Sequence, residues 1–112
     1  MSESAFWILA ALTGEPRHGY GILLDVEELS RGTVTVRVTT LYAGLERLVH
    51  SGLIHVSGEE VVEGRARRYY ALTSQGRLAL SEEAERLRVR ARVARVGLAG
   101  GRVAPVVSVA TS

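Results

Sequence analysis

Between Thr39 and Thr73 the spacing of apolar residues changes from helical to strand-like, and that single change limits the folds open to the chain. Leu41, Leu45, Leu48 and Val49 stand at i, i+4, i+7 and i+8, which predicts a helix from about Thr39 to Ser51 with one apolar stripe. At 100° per residue the opposite face presents Thr39, Thr40, Ala43, Arg47 and His50, with Tyr42 on its flank. Gly52 ends that helix, Leu53 to Ser57 reads as a strand, and Arg67 to Leu72 reads as its returning partner. The link between them carries Glu59, Glu60, Glu63 and Arg65. A lone hairpin is marginal in water, so this block requires helices before and after it.

Those helices are legible. Ser4 is a plausible cap for a first helix running to about Thr13, with Gly14 as its stop. Its stretch Ala5 to Leu12 has no polar face, so both flanks need cover: one from the domain core, the other from a second subunit. A second helix is expected from His18 to Ser30, with Ile22, Leu23, Val26 and Leu29 on one side and Gly32 ending it. Thr33 to Val38 alternates in twos, as a short half-buried strand would.

Thr73 caps a long fourth helix expected to reach Val96. Leu80, Ala84, Leu87, Ala91 and Ala94 recur in steps of four and three, a heptad seam whose alanines permit close approach. Glu82, Glu83 and Glu85 precede Arg86, Arg88, Arg90, Arg92 and Arg95, the order that suits a helix dipole. From Gly97 the pattern lapses. The expected organisation is a winged helix-turn-helix over residues 1–72, a dimerisation helix over 73–96 and a flexible tail over 97–112. By class this is mainly α with a small β-hairpin wing, α+β.

Composition agrees without being decisive. A chain of 112 residues forms one small domain and buries a modest share of its surface, yet 46% of its residues are hydrophobic, which favours pairing. The net charge is only +2, but acids and arginines are segregated: Asp25, Glu27 and Glu28 in one place, Arg65, Arg67 and Arg68 in another. There is no cysteine, which excludes disulfides and thiolate metal sites and fits a cytoplasmic protein. The apolar run near the N-terminus is too short to span a membrane and lacks the basic stretch of a leader. His18, His50 and His55 are not at the spacing of paired metal ligands, and no nucleophile elbow, Walker loop or dinucleotide fingerprint is present. No catalytic residue, metal or cofactor is expected.

Three segments, His18-Gly19-Tyr20-Gly21-Ile22, TTLYAGLERLVHSGLI and RRYYALTSQG, resemble the PadR family, bacterial regulators named after a repressor of phenolic acid decarboxylase. The resemblance implies a winged-helix domain whose C-terminal helix crosses to a second subunit, forming a dimer that represses transcription; the short C-terminal region is similar to that of the smaller subgroup. Thr40, Leu41 and Tyr42 match the family's TLY at the recognition helix, and Arg68, Tyr69 and Tyr70 match its wing strand. Thr39 stands where glycine is common, Gly44 sits inside the recognition helix, and the wing is more acidic than usual.

The partner expected from these features is double-stranded DNA with a pseudo-palindromic operator. Arg37, Thr39, Thr40, Tyr42, Ala43 and Arg47 are the candidate contacts around the recognition helix, with simple capping by the threonines as the alternative. Arg65, Arg67 and Arg68 are candidate phosphate contacts in the wing, with cross-strand ion pairs to Glu59, Glu60 or Glu63 as the alternative. Phe6 and Trp7 could line a cavity for a small aromatic effector, against ordinary packing. Trp7, Ala11, Leu80, Ala84, Leu87, Ala91 and Ala94 form the expected homodimer interface. The competing functions are a winged-helix module that binds protein instead of DNA, and a ligand carrier using the dimer cavity.

Overall fold

The computed structural model describes residues 1–101. In chain order it contains α1 (Glu3–Ala11), β1 (Arg17–His18), α2 (Gly19–Leu29), α3 (Val38–His50), β2 (Ile54–Val62), β3 (Arg65–Leu72) and α4 (Ser74–Leu98). The three strands form one antiparallel sheet in the order β1-β3-β2. The chain divides into two compact units, Met1–Ser81 and the chain from Glu82 onward. No helix among the described residues is long and apolar enough to cross a membrane.

The first unit is a winged helix-turn-helix, built on a core of Ile8, Leu9 and Leu12 from α1, Ile22 and Val26 from α2, Leu41, Leu45 and Leu48 from α3, and Ile54 and Tyr70 from the hairpin. One member of the expected α3 stripe fails: Val49 is exposed, and Gly44 is buried instead. Gly44 is where α1 crosses, because a Cβ there would lie 3.2 Å from Ile8 Cδ1. A larger residue would push the two helices apart.

Several helix boundaries differ from the sequence expectation, and α1 ends at Ala11 with Leu12 as its cap, short of Thr13 and without the left-handed stop expected at Gly14. α1 begins earlier because Ser2, not Ser4, is its cap, accepting from the Ala5 N–H at 3.1 Å. α3 begins at Val38, with Arg37 as a cap that makes no side-chain bond. Thr39 and Thr40 therefore lie inside its first turn and cap nothing. α4 continues past Val96 to Leu98, where Gly100 (φ 87°) closes it: Gly101 N–H donates to Val96 O at 2.9 Å. The rest of the expected tail lies outside the described residues.

The same stop is used twice more. After α3, Gly52 (φ 80°) is followed by Leu53, whose N–H donates to Leu48 O at 3.0 Å. After α2, Gly32 N–H donates to Glu27 O at 2.8 Å, but the left-handed residue before it is Arg31 (φ 54°). A side chain there costs free energy that glycine would not. Arg31→Gly is expected to raise the unfolding free energy by about 0.5–1 kcal/mol, read as a higher melting temperature.

Thr33 to Val38 is not a strand. Ser30 takes the backbone first: its Oγ accepts from Val34 N–H at 3.1 Å and donates to Val34 O at 3.3 Å. Thr33 to Arg37 become a loop tethered to the end of α2, with Val36 sunk into the core, and Val38 opens α3. The third strand is instead Arg17–His18, which pairs with Tyr70 and Tyr69 of β3.

The hairpin is longer than expected. Its strands run through most of the predicted loop to a two-residue turn at Glu63 (φ 51°) and Gly64 (φ 78°), the twist-compatible turn with two left-handed residues. A bulge at Ser57, between the pairs Val56 with Tyr70 and Gly58 with Tyr69, bends the wing above its base.

Thr73 caps α4 as expected, accepting from Gly76 N–H at 2.9 Å while donating to Gly52 O at 2.6 Å. Leu80, in the second turn, packs against the domain core. From Glu82 onward α4 carries i,i+3 ion pairs Arg86–Glu83 and Arg88–Glu85, each 2.7 Å, which hold both carboxyls below their usual range. Ala84, Leu87, Ala91 and Ala94 are exposed in this chain.

Candidate nucleic-acid interface

The core-facing stripe of α3 fixes which residues face outward. Thr39, Thr40, Ala43, Arg47 and His50 are all exposed, as is Arg37 just before them. Tyr42 lies on the flank, 47% exposed, and its ring is held by a glycine. A Cβ built on Gly19, the first residue of α2, would collide with the Tyr42 hydroxyl and lie 2.8 Å from Cζ. The phenol thus lies against the backbone at the start of α2.

The start of α2 is itself stitched to the wing. Arg17 pairs with Asp25, an Nη donating to Oδ1 at 3.0 Å while the buried Nε lies 2.9 Å from Oδ2 without hydrogen-bond geometry, tying β1 to the second turn of α2. His18 caps α2 through Nδ1, which accepts from Gly21 N–H at 3.2 Å. Its ring meets Tyr69 edge-on, centroids 5.5 Å apart. The sequence offers His18 as a capping residue at the start of this helix, but patterning misses the rest, since a two-residue strand has no period and Arg17 and Asp25 lie eight positions apart with no regular pattern linking them.

Partial burial lowers the His18 pKa below its ordinary value near 6.5, and the neighbouring Arg67 and Arg17 guanidinium groups add to the shift. The unfolded chain therefore takes up this proton first as pH falls. The cap's contribution is complete above about pH 6.5 and is lost as pH drops from there through the folded-state pKa, since a protonated Nδ1 cannot accept. Melting curves at roughly pH 7.5 and 5.5 should diverge for the wild type. The gap should narrow for His18→Asn, which caps without titrating.

In the wing, the acids and arginines sort into partners. Arg68 Nε lies 3.4 Å from Glu59 Oε2, the cross-strand pair that stood as the alternative to a phosphate contact. Tyr69 Oη donates to Glu60 Oε1 at 2.7 Å, and that bond raises the tyrosine pKa. Arg65 and Arg67 have no carboxylate within 4.0 Å among the described residues, Arg65 exposed and Arg67 half-buried. Arg65, Arg67, Tyr42 and the start of α2 line one open cleft of about 820 Å³.

Phe6 and Trp7 meet edge to face with centroids 5.2 Å apart, and Trp7 Nε1 donates to Glu3 Oε2 at 3.1 Å. Trp7 and Ala11 are half-buried against the core. The cleft beside α1, about 800 Å³, is lined by Ala5 and by neither ring. Among the described residues no group of three or more His, Asp or Glu is placed to hold a metal ion.

Residues 8–82 match the model of the transcriptional regulator PadR-like family. A Mycobacterium tuberculosis protein named transcriptional regulator Rv3488 is 48% identical over 66 residues, covering 59% of this chain and 61% of that protein, so the chain matches about three fifths of this relative's length. Among solved structures, a PadR family transcription regulator from Clostridium difficile R20291 superposes with a TM-score of 0.73 at 23% identity, over 87% of this chain and 99% of that one. Bacillus subtilis PadR in complex with operator DNA gives a TM-score of 0.66 at 17% identity, over 96% of this chain and 53% of that one. At these identities the two structures speak to the fold.

Proposed function

The chain belongs to the PadR-like family of transcriptional regulators, and from that premise we propose that it is a homodimeric DNA-binding repressor. The observation that carries this is the division of labour on α3: one face is buried in the core, and the opposite face keeps two threonines, Tyr42, Ala43 and Arg47 free on the same unit that holds Arg65 and Arg67. In a duplex complex the α3 face would enter the major groove, Arg37 would meet the backbone at its start, and the wing arginines would grip flanking phosphate. The Bacillus relative solved with operator DNA supports this. The two copies of α3 would read half-sites about 34 Å apart on a pseudo-palindromic operator in the cytoplasm.

The pairing surface is α4, with its uncovered Ala84, Leu87, Ala91 and Ala94 seam; Trp7 and Ala11 of α1 are separate candidates for contact with the second subunit. Leu80 contributes less, being packed on its own domain. A small aromatic effector would act by preferring a dimer whose helix spacing no longer fits DNA, with Phe6 and Trp7 as its candidate contacts. The glutamates of the wing support the second reading, a protein-binding winged helix.

Titration into a labelled duplex from upstream of its own gene, with excess unrelated competitor, separates the two. Saturable binding that survives competition is the expected result, whereas complete loss to competitor favours the protein-binding module. Arg67→Gln should weaken binding about threefold to tenfold on any sequence and reduce the salt slope by about 0.9.

A further inference from the structure

Tyr20 is left over by everything described so far. It occupies the second position of α2 between buried Gly19 and Gly21, two residues before the core residue Ile22, yet it is 61% exposed and makes no hydrogen bond among the described residues. Packing does not account for it. Tyr20 lines the same cleft as Tyr42, Arg65 and Arg67. The Tyr42 hydroxyl also lacks an internal partner among the described residues, and Gly19 is the residue that leaves room for it there.

We propose that this cleft, between the start of α2, the Tyr42 flank of α3 and the wing, is a seat for a DNA backbone phosphodiester in which the Tyr20 and Tyr42 hydroxyls donate to phosphate oxygens beside Arg65 and Arg67. Guanidinium groups can only donate, and two free phenols add neutral donors, so the set suits an anion with several acceptor oxygens. The acids that share the cleft are Glu59, held by Arg68, and Glu63 at the turn, against three arginines. The cleft is an open groove, suited to a passing strand rather than to an enclosed small anion. Helix starts and tyrosine hydroxyls commonly hold backbone phosphate without reading sequence. The seat rests on the DNA-binding proposal above and adds Tyr20 to it.

The test is anisotropy with a fluorescent duplex of arbitrary sequence, about two helical turns long, titrated from roughly 50 mM to 200 mM salt. Tyr20→Phe removes only a hydroxyl. It should weaken binding about threefold to tenfold on this duplex and equally on an operator, with the salt slope unchanged because no charge is lost. Combined with Arg67→Gln, its effect should be smaller than on the wild type, as expected for two groups on one phosphate. Binding by Tyr20→Phe and Tyr20→Ala within twofold of wild type, at unchanged melting temperature, overturns the seat alone. A wild-type protein that binds no duplex at low salt overturns both the seat and the DNA-binding proposal.

Discussion

Gly76→Ala is expected to destabilise the winged-helix unit by about 2–3 kcal/mol and to lower its melting temperature by on the order of 10 °C. Gly76 is buried in the first turn of α4, where an added Cβ would overlap the Leu53 carbonyl oxygen and lie 2.9 Å from Leu72 Cδ1. Flexible side chains can yield to such a methyl, but this obstacle is backbone. The Leu53 carbonyl accepts from Thr73 N–H at 3.1 Å, while Leu53 N–H is held by the stop of α3, so neither side can retreat cheaply. Gly14→Ala, where a Cβ meets nothing within 4 Å, is the matched control and should change stability by less than about 0.5 kcal/mol. Equal melting curves for the two variants would mean that α4 can shift its first turn freely.

The second large effect concerns association. If the chain pairs through α4 as proposed above, Leu87→Asp should raise the dimer dissociation constant about a thousandfold. A two-fold seam receives the substitution twice, and burying each unpaired carboxylate costs at least about 2 kcal/mol. Leu87 lies in the part of α4 where the chain offers it no cover. Light scattering should report monomers at concentrations where the wild type is dimeric. A variant that stays dimeric and folded would move the seam off this stripe. Leu78→Asp, at an exposed position in the first two turns, is the comparison that should leave association unchanged.

Where side-chain periodicity decides structure, the sequence was a sufficient guide. The α3 stripe, the hairpin order and the Thr73 cap are each set by neighbours in sequence, and each stands near its expected place. The misses share a different cause. Val34 alternates like a strand residue, but Ser30 already holds its N–H and carbonyl, and no pattern of apolar residues reports that. The strands of the wing continue through an acidic stretch because Glu59 and Glu60 find Arg68 and Tyr69 across the hairpin, a register visible only once the turn at Glu63 and Gly64 is known. The same holds for the candidate interface. The outward residues of α3 follow from helical geometry, whereas the contact of Gly19 with Tyr42 joins residues far apart in the chain and depends on two helices meeting.

One hydroxyl gives the molecule a mechanical property. Thr73 Oγ1 donates to the Gly52 carbonyl just past α3 and accepts from the Gly76 amide in the first turn of α4, so a single atom acts as the pin of a joint between the two helices. Replacing the side chain by valine, similar in shape but without the oxygen, would remove both hydrogen bonds and let the joint slip.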